Sequence, residues 1–139
     1  MTARERPARS GRATGEVRAL LVVAPSRLDR EDLFHDLAAR AGYLVRYAAG
    51  PLDAGQALEA QPVALLIAAP EVPTAEVSQL LASRERWRPG IPVLVIRNRQ
   101  AEEPAGWARQ GVGVLRCPLL PEALSRSVDV VLGLGARCH

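Results

Sequence analysis

Five short apolar runs alternate with longer amphipathic segments along this chain, and that alternation limits its fold more than any other feature. The runs lie at 19–24, 43–47, 63–68, 93–96 and 112–115. Apolar runs of this length that are rich in Val, Ile and Leu are typical of strands buried on both faces of a sheet. The pattern therefore predicts an α/β fold in which helices cover a parallel sheet.

The segments between and after these runs have helical periodicity. We predict helices over 28–41, 52–60, about 74–87, 104–110 and 121–134. Ser26 is placed to cap the first of them, and Gly42 to end it. Since parallel strands joined by helices use right-handed crossovers, the order of elements predicts a flavodoxin-like, doubly wound (βα)5 three-layer sandwich with strand order 2-1-3-4-5.

The first sixteen residues lack this alternation. They hold Pro, Gly, Ser and Thr, and their four arginines outnumber two glutamates. A segment with so little apolar surface cannot offset the entropy lost on ordering. We therefore expect residues 1–16 to form a disordered arginine-rich leader and residues 17–139 to form one domain.

Composition excludes several classes of function. All 18 basic residues are arginine, so no step that needs a lysine amine is possible. Two cysteines are too few for a secreted disulfide framework, and no apolar run approaches the length of a membrane span. No glycine-rich nucleotide motif or metalloprotease motif occurs. We expect a cytoplasmic protein with no membrane partner and no cofactor.

Several stretches in the same order resemble the receiver domain of two-component response regulators, a CheY-like fold, over about residues 17–134. They are Leu21–Val23, the Ala-Gly-Tyr-Leu-Val stretch at 41–45, the proline-containing loop at 70–77, the strand with its lead-in at 90–96, and residues 111–118 followed by 121–124. The resemblance implies a signalling module that works with protein partners.

A working receiver needs an acidic pair after strand one to hold Mg²⁺, an aspartate at the end of strand three, a hydroxyl after strand four and a lysine after strand five. The resemblance places these functions, in that order, on Ala24 and Pro25, on Leu66 or Ile67, on Arg97 and on Cys117. None of these side chains can do the required chemistry, because Mg²⁺ binding needs carboxylate oxygens. We expect a degenerate pseudo-receiver without catalytic or metal-binding residues.

Two of the substituted positions have alternative interpretations. Arg97 either binds an anionic ligand or a partner's carboxylate, or else lies solvated in a loop or in an internal salt bridge. Cys117, with Arg97 and Arg116 near it, is either a reactive thiol or a small apolar filler.

Trp107 is the only large apolar residue of the predicted helix 104–110. One interpretation leaves it partly exposed and makes it, with Arg109, an interaction site of the kind in which tryptophan and arginine are enriched. The other places it at the edge of the core. Receivers commonly dimerise or bind effectors through the face from the fourth to the fifth helix, so the resemblance implies that face here.

Our leading hypothesis is a non-catalytic receiver-like module that acts by protein–protein interaction, independently of phosphorylation, in bacterial signalling; a homodimer is one possible form. One alternative is a flavodoxin-like small-ligand sensor that uses Arg97 at the strand edge. Another is a regulator whose basic N-terminal arm binds nucleic acid, although a basic tail on a near-neutral body is weak support for such a partner.

Overall fold

The computed structural model describes residues 17–133. Its strands are β1 (Arg18–Val23), β2 (Tyr43–Ala48), β3 (Leu65–Ala68), β4 (Val93–Arg97) and β5 (Val112–Arg116). Its helices are α1 (Arg27–Asp32), α2 (His35–Ala38), α3 (Pro51–Ala60), α4 (Thr74–Trp87), α5 (Gly106–Arg109) and α6 (Pro121–Val131).

The five strands form one parallel sheet in the order β2-β1-β3-β4-β5. β1 lies inside the sheet and pairs with both β2 and β3, which places Val23 beside Ala48 on one side and Ala68 on the other. The predicted flavodoxin-like fold and strand order are confirmed. Each crossover from strand to parallel strand carries helical structure, as the alternation of the sequence requires.

Helices cover both faces of the sheet, and each face has its own apolar cluster. Alternate residues of one strand enter opposite clusters: Leu21 and Val23 pack on one face, Leu20 and Val22 on the other. This is why β1, β3 and β4 are nearly continuous apolar runs, since a strand buried on both faces has no position for a polar residue. The edge strand β2, by contrast, includes the exposed Arg46. The clusters are mainly aliphatic, with Trp107 in the first and Phe34 in the second.

The predicted single helix over 28–41 is wrong in its extent. It is interrupted between Asp32 and His35 and ends at Ala38, so two short helices replace it. Phe34 lies in the interruption and is fully buried, with its ring edge-on to Tyr47 at 6.4 Å between centroids. The packing of Phe34 against β2 thus overrides the helical periodicity of the segment, and Ala38 and Ala41 are exposed rather than inward.

The predicted helix cap at Ser26 is confirmed. The Ser26 hydroxyl accepts a hydrogen bond from the Leu28 backbone N–H at 3.1 Å, at the start of α1. Gly90 adopts a φ of +93°, a conformation that favours glycine, in the turn before β4. Within residues 17–133, no helix is long and apolar enough to cross a membrane.

A polar network ties α2 and β2 to α6. Asp129 accepts hydrogen bonds from Tyr43 Oη and, at 2.6 Å, from Arg40 Nη1. Asp36 accepts one from Ser125 Oγ at 2.8 Å. Burial raises the pKa of the Tyr43 phenol, and the hydrogen bond to Asp129 and the charge of that carboxylate raise it further. These hydrogen bonds hold α6 against α2 and β2.

Candidate functional site

The carboxyl ends of parallel strands meet at one edge of the sheet, which is where ligands bind in open α/β folds. Ala24 and Ala69 directly follow β1 and β3, and the Ala69 N–H donates to the Val23 carbonyl at 2.9 Å. Arg97 ends β4, and its carbonyl accepts a hydrogen bond from the Cys117 N–H at 2.9 Å. The strand order therefore brings the sequence-predicted residues Ala24, Arg97 and Cys117 to the same edge.

Leu66 and Ile67 are not at this edge, and their assignment to the end of strand three is wrong. β3 continues to Ala68, so both residues lie inside the strand, fully buried, with their side chains in the two opposite apolar clusters. The strand end falls instead on Ala68 and Ala69. Neither residue carries a carboxylate, so the corrected position is no more suited to accept a phosphoryl group.

The end of β1 is occupied by an arginine that sequence analysis did not single out. Arg30 Nε donates to the Ala24 carbonyl at 2.9 Å, and its guanidinium lies 4.9 Å from the centroid of the Tyr47 ring. Ala24 itself is fully buried, and Pro25 is exposed. The prediction of one long helix hid this contact, because it placed the arginines of that helix on the outer face.

The acids that closely follow β1 and β3 in sequence lie on the surface wherever their side chains are described. Glu31, Asp32 and Glu71 are all exposed. In the part of the chain that the structure describes, no three His, Cys, Asp or Glu side chains come together in a way that could hold a metal ion. The described residues at the strand ends are therefore mainly alanines and arginines, whose side chains supply no oxygen ligands.

Arg97 points into the structure rather than out of the edge. It is only 7% exposed, its guanidinium lies 5.2 Å from the centroid of the Trp107 ring, and Nη2 donates to the Glu102 carbonyl at 2.9 Å. Such a cation–π contact is stronger when the pair is shielded from water. Of the alternatives for Arg97, the geometry favours an internal role, made by an aromatic ring and a carbonyl rather than by a salt bridge.

Trp107 is 2% exposed, which decides between the two interpretations of this residue. It packs in the cluster beneath α4 and cannot serve as an exposed interface residue, so that expectation is wrong. The physical reason is that α5 is a single turn, and the indole fills space over β4 and β5 that so short a helix leaves. Arg109, the other predicted interaction residue, is exposed at the end of the same turn.

A second arginine braces the loop that leads from β4 to α5. Arg116, which pairs in register with Arg97, donates through Nη1 to the carbonyls of Asn98 at 3.0 Å and Ala101 at 2.5 Å. Its Nη2 lies 3.6 Å from a carboxylate oxygen of Glu103. The sequence contains a signal that could have revealed these contacts: an arginine at the end of each of two neighbouring strands, Arg97 in β4 and Arg116 in β5.

Cys117 is half-buried and packs against the second apolar cluster, which fits the apolar-filler interpretation. The peptide bond from Cys117 to Pro118 is cis. The arginine-rich segment 1–16 lies outside the described residues, so the expected leader and the proposed nucleic-acid arm are not tested by the structure.

The helical face next to this edge carries an exposed apolar stripe on α6. Helical spacing places five small or apolar residues on one side of the helix, beside the buried stripe that contains Leu124 and Val128. Val130 is 71% exposed, and Leu120 and Val131 are exposed too. We call this set the α6 stripe; its members are Leu120, Ala123, Ser127, Val130 and Val131.

No protein-family model matches the sequence, and no curated protein matches it either. Solved structures do. The chemotaxis response regulator CheY4 of Vibrio cholerae is 22% identical with a TM-score of 0.69, over 83% of this chain and 98% of that one. A CheY-like receiver domain protein of Methanospirillum hungatei is 16% identical with a TM-score of 0.70, over 88% and 98% of the two chains.

A third structure, the receiver domain of a sensor histidine kinase from Pseudomonas aeruginosa, has a magnesium ion coordinated in its active-site cleft. It is 15% identical, with a TM-score of 0.67, over 84% of this chain and 98% of that one. At these identities the likeness concerns the fold, and the chain has the fold of CheY-like receiver domains.

Proposed function

We propose that this chain is a non-catalytic receiver-like signalling module that acts by binding protein partners, independently of phosphorylation. Its fold is that of modules which pass signals in two-component systems. The proposal places it in the bacterial cytoplasm and adds that it neither accepts a phosphoryl group nor needs a metal ion.

The main support for this proposal is the set of residues found at the carboxyl edge of the sheet. A magnesium ion lies in the corresponding cleft of the Pseudomonas aeruginosa domain. Here β1 and β3 are followed by Ala24 and Ala69, whose side chains offer no oxygen to a hard cation. Arg97 and Arg116, at the ends of β4 and β5, donate to carbonyls of the loop between β4 and α5. The edge is used for internal support.

For the partner surface we propose the face formed by α5 and α6, with the α6 stripe at its centre and Arg109 at its side. The stripe includes three exposed aliphatic side chains, two on α6 and one just before it, and Arg109 is an exposed charge on α5 suited to an interface rim. Trp107 supports this face from within and does not reach it. A second copy of the chain is one partner that fits a self-complementary apolar stripe.

The decisive experiment adds beryllofluoride with Mg²⁺, a phosphoryl mimic, to the protein and records amide NMR spectra. We expect no saturable shifts at the amides of Ala24, Ala69 or Cys117, because no carboxylate is available to form the beryllofluoride adduct. A receiver domain that accepts phosphate serves as the positive control under identical conditions. Saturable shifts around the carboxyl edge of this protein would contradict the proposal.

A further inference from the structure

A groove of about 670 Å³ lies between α4 and α5, away from the carboxyl edge. Its walls include Ser78, Leu81 and Arg84 of α4, together with Trp107, Arg109 and Gln110 from α5 and the turn after it. Gly90, in the turn before β4, closes one end. Because that turn precedes β4, the groove extends toward the amino-terminal edge of the sheet, opposite to Ala24 and Ala69.

Arg84 brings a buried positive charge to this groove. It is 5% exposed, and its two terminal nitrogens donate to the carbonyls of Ile91 at 3.2 Å and Gln110 at 2.6 Å. Its Nε is buried without a hydrogen-bond partner, and no carboxylate of residues 17–133 forms an ion pair with it. Its partners among the described residues are therefore two backbone carbonyls rather than a carboxylate.

The other lining residues indicate the charge and the polarity of a ligand that would fit the groove. Arg109 is exposed at the rim, and Glu85 is the only acid among the lining residues, so the groove has an excess of positive charge. Leu81 and Trp107 add an apolar surface, and the Ser78 hydroxyl adds a polar group. The lining is therefore mixed, with slightly more polar than apolar surface, and its polar groups would fix the orientation of a small ligand.

We propose that this groove binds a small ligand in which a carboxylate or phosphate is attached to an apolar or aromatic group. The anionic group lies near Arg84 and Arg109, where it supplies the counter-charge that Arg84 lacks. The apolar group lies against Ala82 and the small parts of Leu81 and Trp107 that line the groove. This site goes beyond the proposed protein-binding function and uses none of the residues of the α6 stripe.

Phenyl phosphate is the probe that tests the site, with tryptophan fluorescence as the readout. Trp107 lines the groove, whereas Trp87 lies on another groove between α3 and α4, so the Trp87→Phe variant isolates the signal. We expect a saturable change with a dissociation constant of about 1 mM or lower, the range of a small ligand held by a few contacts. Neutral benzyl alcohol should give a much weaker response.

Charge-matched variants complete the test. In the Trp87→Phe background, Arg109→Ala should weaken phenyl phosphate binding by about threefold or more, the size expected for one partly solvated charge. Arg86→Ala removes the same charge from α4 outside the groove and should leave the affinity unchanged. Arg84→Met, if folded by circular dichroism, should abolish binding.

The proposal is overturned if phenyl phosphate gives no saturable signal, if benzyl alcohol binds equally well, or if Arg86→Ala and Arg109→Ala weaken binding to the same extent. Each of these results leaves the beryllofluoride test untouched, because that test concerns the opposite edge of the sheet.

Discussion

Arginine is the only basic residue type in this chain, and its main structural use is to hold backbone carbonyls. Six arginines donate through their side chains to carbonyl oxygens distant in sequence or in a neighbouring loop; they are Arg18, Arg30, Arg84, Arg88, Arg97 and Arg116. Three of them, Arg84, Arg88 and Arg116, each reach two carbonyls; those of Arg88 belong to Leu58 and Gln61, each at 2.8 Å. A planar guanidinium can donate several hydrogen bonds in fixed directions, which a lysine amine does less well.

Because the chain has no lysine, the contribution of Tyr43 to stability at high pH can be measured without titration of lysine side chains. Because the folded state raises the pKa of the Tyr43 phenol, that phenol loses its proton more easily when the chain unfolds. The contribution of Tyr43 to the free energy of unfolding should therefore be constant below about pH 9 and should fall as the pH rises through 10, the ordinary pKa of a phenol.

Tyr43→Phe should remove up to about 1.4 kcal/mol per pH unit of that fall, the maximum for one group. Urea unfolding between pH 8 and 11.5 measures the slope. Burial also raises the pKa of Tyr47, so Tyr47→Phe is the matched comparison. If the slope of Tyr43→Phe equals that of the unmodified protein, Tyr43 is not held neutral by its surroundings.

At the scale of elements, α5 differs from the long helices in what determines its extent. α4 and α6 follow the apolar periodicity of the sequence, and their bounds lie close to those predicted. α5 is one turn, fixed by Trp107 inside it and by the arginine-braced loop before it. Where few residues of a helix face the core, single contacts decide its extent.

The α6 stripe leads to a prediction about assembly. Val130 is exposed and contacts neither the polar network nor the buried stripe, so Val130→Glu should change the surface of the helix with little effect on stability, within about 0.5 kcal/mol. If the chain is a homodimer through this stripe, light scattering after size exclusion should show a dimer that Val130→Glu converts to monomer.

Leu52→Glu is the control for that experiment. Leu52 is 76% exposed on α3, away from α5 and α6, and its substitution should leave the mass unchanged. A dimer that persists in Val130→Glu and dissociates in Leu52→Glu would place the contact on α3 and contradict the proposed face.

The whole molecule is organised by a single sheet that separates two apolar clusters. Every buried strand contributes side chains to both, so neither cluster can lose its packing without disturbing the strands that carry the other. We therefore expect the domain to unfold as one cooperative unit. Both tryptophans lie on the side of the first cluster, which makes them reporters for it alone.

Leu37→Ala tests this coupling. Leu37 is fully buried in the second cluster, so its truncation should cost about 2–5 kcal/mol. The tryptophan fluorescence transition in urea should shift as far as the transition seen by far-ultraviolet circular dichroism. Leu52→Ala, at an exposed position, should shift neither. Separate transitions for the two probes would mean that the two faces unfold independently.

The candidate site was predicted in part. Sequence spacing brought Ala24, Arg97 and Cys117 to one edge correctly, because the ends of parallel strands must meet wherever the strand order is known. It gave the end of strand three correctly at Ala68 but placed the phospho-acceptor position too early, on Leu66 or Ile67, because all residues from Leu66 to Ala69 are apolar and none of them marks that position. It did not identify the contact of Arg30 with Ala24, because a backbone carbonyl leaves no trace in side-chain types, and it named Arg116 only as a neighbour of Cys117.

The sequence by itself determined the fold, the strand order and the lack of carboxylates, hydroxyls and lysine where a receiver needs them. Alternation of apolar runs is a local property that depends only on which residues follow one another. The tertiary structure decided the break at Phe34, the burial of Trp107 and the inward direction of Arg97. Each of these depends on the space between elements far apart in the chain, which no local pattern encodes.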